Sequence, residues 1–114
     1  MGRLYMRPDS VRKYCAQEIE IWKNPKSTDL FPFCVATDCR CKLCPIYQYE
    51  TQKNGTPTRC VDIVLLKKGR KGKRLRDYQQ PRKQASRAMR KAMIRYLEEF
   101  PAKWEEFLRK KRLI

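Results

Sequence analysis

PRKQASRAMRKAMIRYLEEF, residues 81–100, is the stretch whose reading sets the fold. Ala85, Ala88, Met89, Ala92, Met93, Tyr96, Leu97 and Phe100 recur in it at three- and four-residue intervals, which gathers them on one stripe of a helix. Pro81 suits the first turn, where its fixed φ is already helical and its missing N–H would have had no partner. Arg87, Arg90, Lys91 and Arg95 fall off the stripe, so one element is expected to carry an apolar face and a cationic face, the latter ended by Glu98 and Glu99. Pro101 is expected to break the helix and restart it, with Trp104, Phe107 and Leu108 as the apolar side of a last helix. That helix closes on Arg109, Lys110, Lys111 and Arg112, cations that complement the negative end of a helix dipole.

Upstream, Lys67, Lys68, Arg70, Lys71, Lys73, Arg74 and Arg76 crowd a segment punctuated by Gly69 and Gly72, and Arg82 and Lys83 come after it. No apolar periodicity runs through 67–80, which reads as a basic loop. Val61, Ile63, Val64, Leu65 and Leu66 make a short β-branched run, read as a strand over 61–66. Near the start, Val11, Tyr14, Cys15, Ile19 and Trp22 share a helical stripe, so a core-facing helix is expected over 8–24, capped by Asp9 or Ser10 and ended at Asn24-Pro25. Cys15 on that stripe reads as a small buried hydrophobe. Leu30, Phe31 and Phe33 lie in an irregular connector in which Pro32 argues against regular structure. At 114 residues the expected class is therefore α+β, a small single domain over 1–114, mainly helical with one or two short strands around a cysteine-rich metal-binding segment.

That segment, 34–60, holds Cys34, Cys39, Cys41, Cys44 and Cys60, with C-x-x-C spacing between Cys41 and Cys44. Thiolates converging from nearby turns bind zinc and add folding energy that a small core lacks. The placement of Cys60 depends on the conformation of residues 45–55. A hairpin at Asn54-Gly55 would set Cys60 roughly 17 Å along a strand from Cys44. A helix begun by Pro45 and ended by Gly55 is only about 15 Å long and lets an extended return bring Cys60 back. The Cys44-Pro45 junction, with Ile46 and Tyr49 on one face, favours the helix. The expected ligands are accordingly Cys39, Cys41, Cys44 and Cys60, with Cys34 as substitute; an iron-sulfur cluster is the alternative, and disulfides or free thiols account for the same residues without a metal.

The 28 Lys and Arg against 12 Asp and Glu leave a formal charge of +16, which calls for an anionic partner. Lys67, Lys68, Arg70, Lys71, Lys73, Arg74, Arg76, Arg82, Lys83, Arg87, Arg90, Lys91 and Arg95 face one acid in that stretch, Asp77, and are the expected phosphate contacts for DNA or RNA. An acidic protein surface, or the nucleic-acid channel of a larger enzyme, is the alternative partner. Histidine is absent, and Asp38, Glu50 and Asp62 stand in no spacing that builds a two-metal site, so no catalysis is expected. Residues 1–6 hold no apolar stretch and no run approaches the roughly 20 apolar residues of a spanning helix, so the expected location is cytoplasmic.

Overall fold

Pro8 opens α1, Pro8–Lys23, in the computed structural model, which describes residues 5–24, 31–38, 40–58 and 87–114. The N-cap is Arg7 rather than Asp9 or Ser10, and no side chain caps it. Pro8 is already helical in φ, so the helix begins one residue ahead of the expected caps, with Val11 N–H bonded to the Arg7 carbonyl at 3.1 Å. Asp9 instead pairs with Arg12 one turn on. Val11, Cys15, Glu18 and Trp22 are buried on one stripe.

The short helix α2, Pro32–Ala36, corrects the reading of Pro32 as a breaker: at a first helical position proline lacks only a bond it would not have made. Phe31 and Phe33 are buried beside it, Phe31 stacked on Trp22 and Phe33 edge-on to Tyr14. A 3-10 turn over Cys41–Leu43 leads into α3, Pro45–Asn54, and the Gln48 amide donates to the Lys42 carbonyl at 3.0 Å, tying the turn to the helix. Gly55 ends α3 in the left-handed region at φ 74°, where a side chain would be strained. Thr58 N–H then bonds back to Thr51 Oγ1 at 3.0 Å, turning the chain along the helix.

The last helix, α4, Arg87–Lys110, runs unbroken through Pro101. The expected division into two C-terminal helices is corrected. Proline leaves the Leu97 carbonyl without its usual donor, a loss of several kcal/mol, of order 3. Burial on both sides offsets it, since Leu97, Phe100 and Trp104 are each 0% exposed and share the inward face. At the end of α4, Arg112 takes φ 59°, and Leu113 N–H bonds the Leu108 carbonyl while Arg112 N–H bonds that of Arg109, a Schellman closure built without glycine.

α1 and α4 share the main interface. Trp104 Nε1 donates to the Met6 carbonyl at 2.8 Å, and Arg90 donates to the Trp22 carbonyl at 3.1 Å. Those contacts pair the start of one helix with the end of the other, so the two lie antiparallel, matched over about 21 Å of α4 and 24 Å of α1. α3 joins them through Tyr96, whose hydroxyl donates to Glu50 at 2.7 Å, and through Tyr49, edge-on to both Phe100 and Phe107. The α+β expectation is overturned: 77% of the described residues are helical and none lies in a strand or sheet. Helices, not a sheet, cover the apolar face of α4 within this core. The expected strand over 61–66 and the loop over 67–80 lie outside the described residues.

Candidate functional site

Of the expected ligands, Cys41 and Cys44 are described; Cys39 and Cys60 lie outside the described residues. Cys41 is half-buried at the start of the 3-10 turn, and Cys44 caps α3 with its N–H bonded to the Cys41 carbonyl at 3.0 Å. Cys34 is half-buried in α2. No three or more Cys, Asp or Glu side chains among the described residues converge into a metal-holding group. Burial is the main cause that pushes the Cys44 thiol up to about 12; the Tyr47 and Ile46 amides at the mouth of α3 oppose it, and Glu18 and Cys41 reinforce it. A bound cation would reverse that balance, because a coordinating thiol is deprotonated outright.

If the centre holds a metal, anaerobically purified protein is expected to contain stoichiometric zinc, or the visible absorption of an iron-sulfur cluster. Cys41→Ser and Cys44→Ser should release it and unfold the central segment, because structural ligation and folding are coupled. Wild-type protein free of metal, with a Cys41→Ser variant of unchanged thermal stability, would remove the site. Cys15 behaves as a core residue, 1% exposed, its thiol pushed up to about 12 chiefly by burial and further by Glu18 and Cys44. Cys15→Ser should leave metal content unchanged.

Glu18 escaped the sequence analysis because its charge argued for an outward face, although its spacing places it with Val11, Cys15 and Trp22. It sits on the buried stripe of α1 at 4% exposure, where it accepts the Phe33 N–H at 3.2 Å. Burial raises its carboxyl from 4.5 to about 8, and the Phe33 N–H lowers it only in part. The folded chain therefore holds this proton where the unfolded chain releases it. The contribution is fully present below about pH 4.5 and is lost as pH rises through about 8. Glu18→Gln, which cannot ionise, is expected to be more stable than wild type at pH 8 and similar to it in mild acid; parallel denaturation curves for the two proteins across that window would contradict this assignment.

The second group of expected site residues divides. Lys67, Lys68, Arg70, Lys71, Lys73, Arg74, Arg76, Arg82 and Lys83 lie outside the described residues. Arg87, Lys91 and Arg95 are exposed on α4 at four-residue spacing, a stripe about 12 Å long, and form no ion pair among the described residues. Arg90 does not belong with them. Its guanidinium donates to the Trp22 carbonyl and lies 6.0 Å from the centre of the Trp22 ring, so it closes the end of α1. Helical spacing put it off the apolar stripe, but the packing of α1 beside it was invisible in α4 alone.

Elsewhere, several exposed cations are matched to acids one turn away: Lys23 to Glu20, Lys103 to Glu99, Arg109 to Glu105 and Lys110 to Glu106. The stripe of Arg87, Lys91 and Arg95 thus stands out as a positive edge with no ion pair among the described residues. Among the described residues no helix is long and apolar enough to cross a membrane. Comparison with protein-family models, with curated proteins and with solved structures gave no match.

Proposed function

We propose that this chain is a small basic nucleic-acid-binding protein of the cytoplasm, stabilised by a metal at its cysteine-rich centre. It contacts phosphates through the cations of the segment 67–80 and the outer face of α4. The observation that carries the reading is the pairing of a +16 chain with a helix whose inner face is core and whose outer face presents Arg87, Lys91 and Arg95 with no ion pair among the described residues. The helix presets the backbone spacing of this row of cations before binding, and each phosphate it neutralises releases counterions. No base contact is required for that affinity.

The test is a titration of wild-type protein with duplex DNA, single-stranded DNA and structured RNA across a salt series. Binding at about 150 mM salt, where charges are screened beyond about 8 Å, with log K falling linearly in log salt, is the expected result. No binding to any of the three at that salt would end the nucleic-acid reading. A stoichiometric complex with an acidic protein in the same conditions would replace it by the adaptor reading.

A further inference from the structure

A groove of about 230 Å³ opens between α3 and α4, and none of Arg87, Lys91 and Arg95 lines it. Tyr49 and Lys53 line it from α3; Lys103, Glu106, Phe107 and Lys110 line it from α4. Resting on the nucleic-acid reading above, we propose that this groove receives one unpaired nucleotide, its base against Tyr49 and its phosphate among the three lysines.

Size comes first. Pockets for drug-sized ligands run from roughly 300 to 1,000 Å³, so this smaller, open recess suits one mononucleotide, part of it left at the mouth, rather than a larger ligand. Charge comes next: among the described residues lining it, three ammonium groups accompany one carboxylate. Lys110 pairs with Glu106 at 3.5 Å and Lys103 with Glu99 at 3.7 Å, but all four side chains are exposed by 40% or more. Ion pairs in such settings contribute between nothing and about 1 kcal/mol, so a phosphate can displace the carboxylates at little loss. Lys53 forms no ion pair among the described residues, and Lys111 adds positive charge 5.1 Å from the Phe107 ring centre.

The aromatic component makes the groove more than a basic patch. Tyr49 is half-buried and held edge-on by Phe100 at 5.6 Å and Phe107 at 5.8 Å, so its ring is presented already ordered. A fixed ring beside lysines is the combination by which single strands are held, bases stacking on aromatic faces while cations follow the backbone. Gln52 on the same wall offers an amide that both donates and accepts at a base edge. A base locked in a duplex cannot enter a recess between two helices; an unpaired one can. Glu98 and Glu99 separate the groove from the Arg87 row along α4, so the two sites are distinct and one strand of several nucleotides would be needed to engage both.

The experiment measures binding of a short single-stranded RNA and of a duplex of the same length to wild type, Tyr49→Leu and Lys53→Glu. Tyr49→Leu is expected to bind the single strand about 5- to 150-fold more weakly, the range that corresponds to one stacked base at 1–3 kcal/mol, and Lys53→Glu to bind it more weakly with a salt slope smaller by about one. Duplex affinity should change less than about twofold in Tyr49→Leu. Adenosine monophosphate, but not ribose 5-phosphate or inorganic phosphate at the same concentration, should shift the Tyr49 ring resonances. Wild-type affinity for the single strand in both variants would overturn the groove and leave the basic-surface function standing. Should Tyr49→Leu lose its helical melt, Lys53→Glu, altering an exposed side chain, decides the question alone. Failure of wild type to bind either RNA at about 150 mM salt would instead defeat the functional reading and this inference with it.

Discussion

Met93→Asp is expected to lower the free energy of unfolding by about 3 kcal/mol or more, whereas Arg87→Asp should change it by less than about 0.5 kcal/mol. Both residues belong to α4, six positions apart. Met93 is 2% exposed in the core formed with Val11, Cys15 and Trp22, and an aspartate there must either lie buried and unpaired or take up a proton at the cost of a lost apolar contact. Arg87 is exposed on α4, where either charge stays solvated and no packing is lost. Urea unfolding followed by far-ultraviolet circular dichroism separates the two. Similar midpoints would mean that the inward face of α4 has been assigned to the wrong residues.

The second large effect concerns binding. Replacing Arg87, Lys91 and Arg95 together by alanine should flatten the slope of log K against log salt for duplex DNA by about 2.7, since each phosphate contact contributes about 0.9. Affinity at low salt falls with it, while stability should be nearly unchanged because alanine is the better helix former and none of the three is buried. Arg90→Ala provides the contrast. It removes the donor that satisfies the Trp22 carbonyl, so it should cost about 1 kcal/mol of stability and leave the salt slope where it was. A slope that responds equally to Arg90→Ala and to the triple change would show that the α4 face does not carry the phosphate contacts.

The division between Arg90 and its neighbours shows where reading along the chain stops. Periodicity distinguishes the side of a helix that faces a core from the side that does not. It does not say which second element comes to rest at the boundary between them. Arg90 stands at that boundary, and only the arrival of the α1 terminus converts it from a surface cation into a cap. Glu18 is the same case reversed: a carboxylate at helical spacing with Val11, Cys15 and Trp22 lies on their stripe by geometry, yet its type pointed outward until the Phe33 amide was found beside it.

Local signals were sufficient wherever the cause was local. The stripes of α1 and α4 follow from residue spacing, because side chains three and four positions apart share a helix face whatever surrounds them. α3 follows from Pro45 at its start and Gly55 at its end, since a fixed φ and a free one are properties of those two residues. The +16 charge and the absence of histidine are likewise composition alone. Three matters were decided by tertiary structure. α4 continues through Pro101 because buried rings on either side outweigh one missing hydrogen bond, an energy that exists only after α1 and α3 have packed against it. The described core closes with helices rather than with a sheet because an apolar stripe accepts any apolar cover of matching shape, and α1 supplies an antiparallel one of similar length. The groove between α3 and α4 brings Tyr49 and Lys53 to Lys103 and Lys110 from a separate helix far along the chain, a proximity that spacing along a sequence has no means to encode.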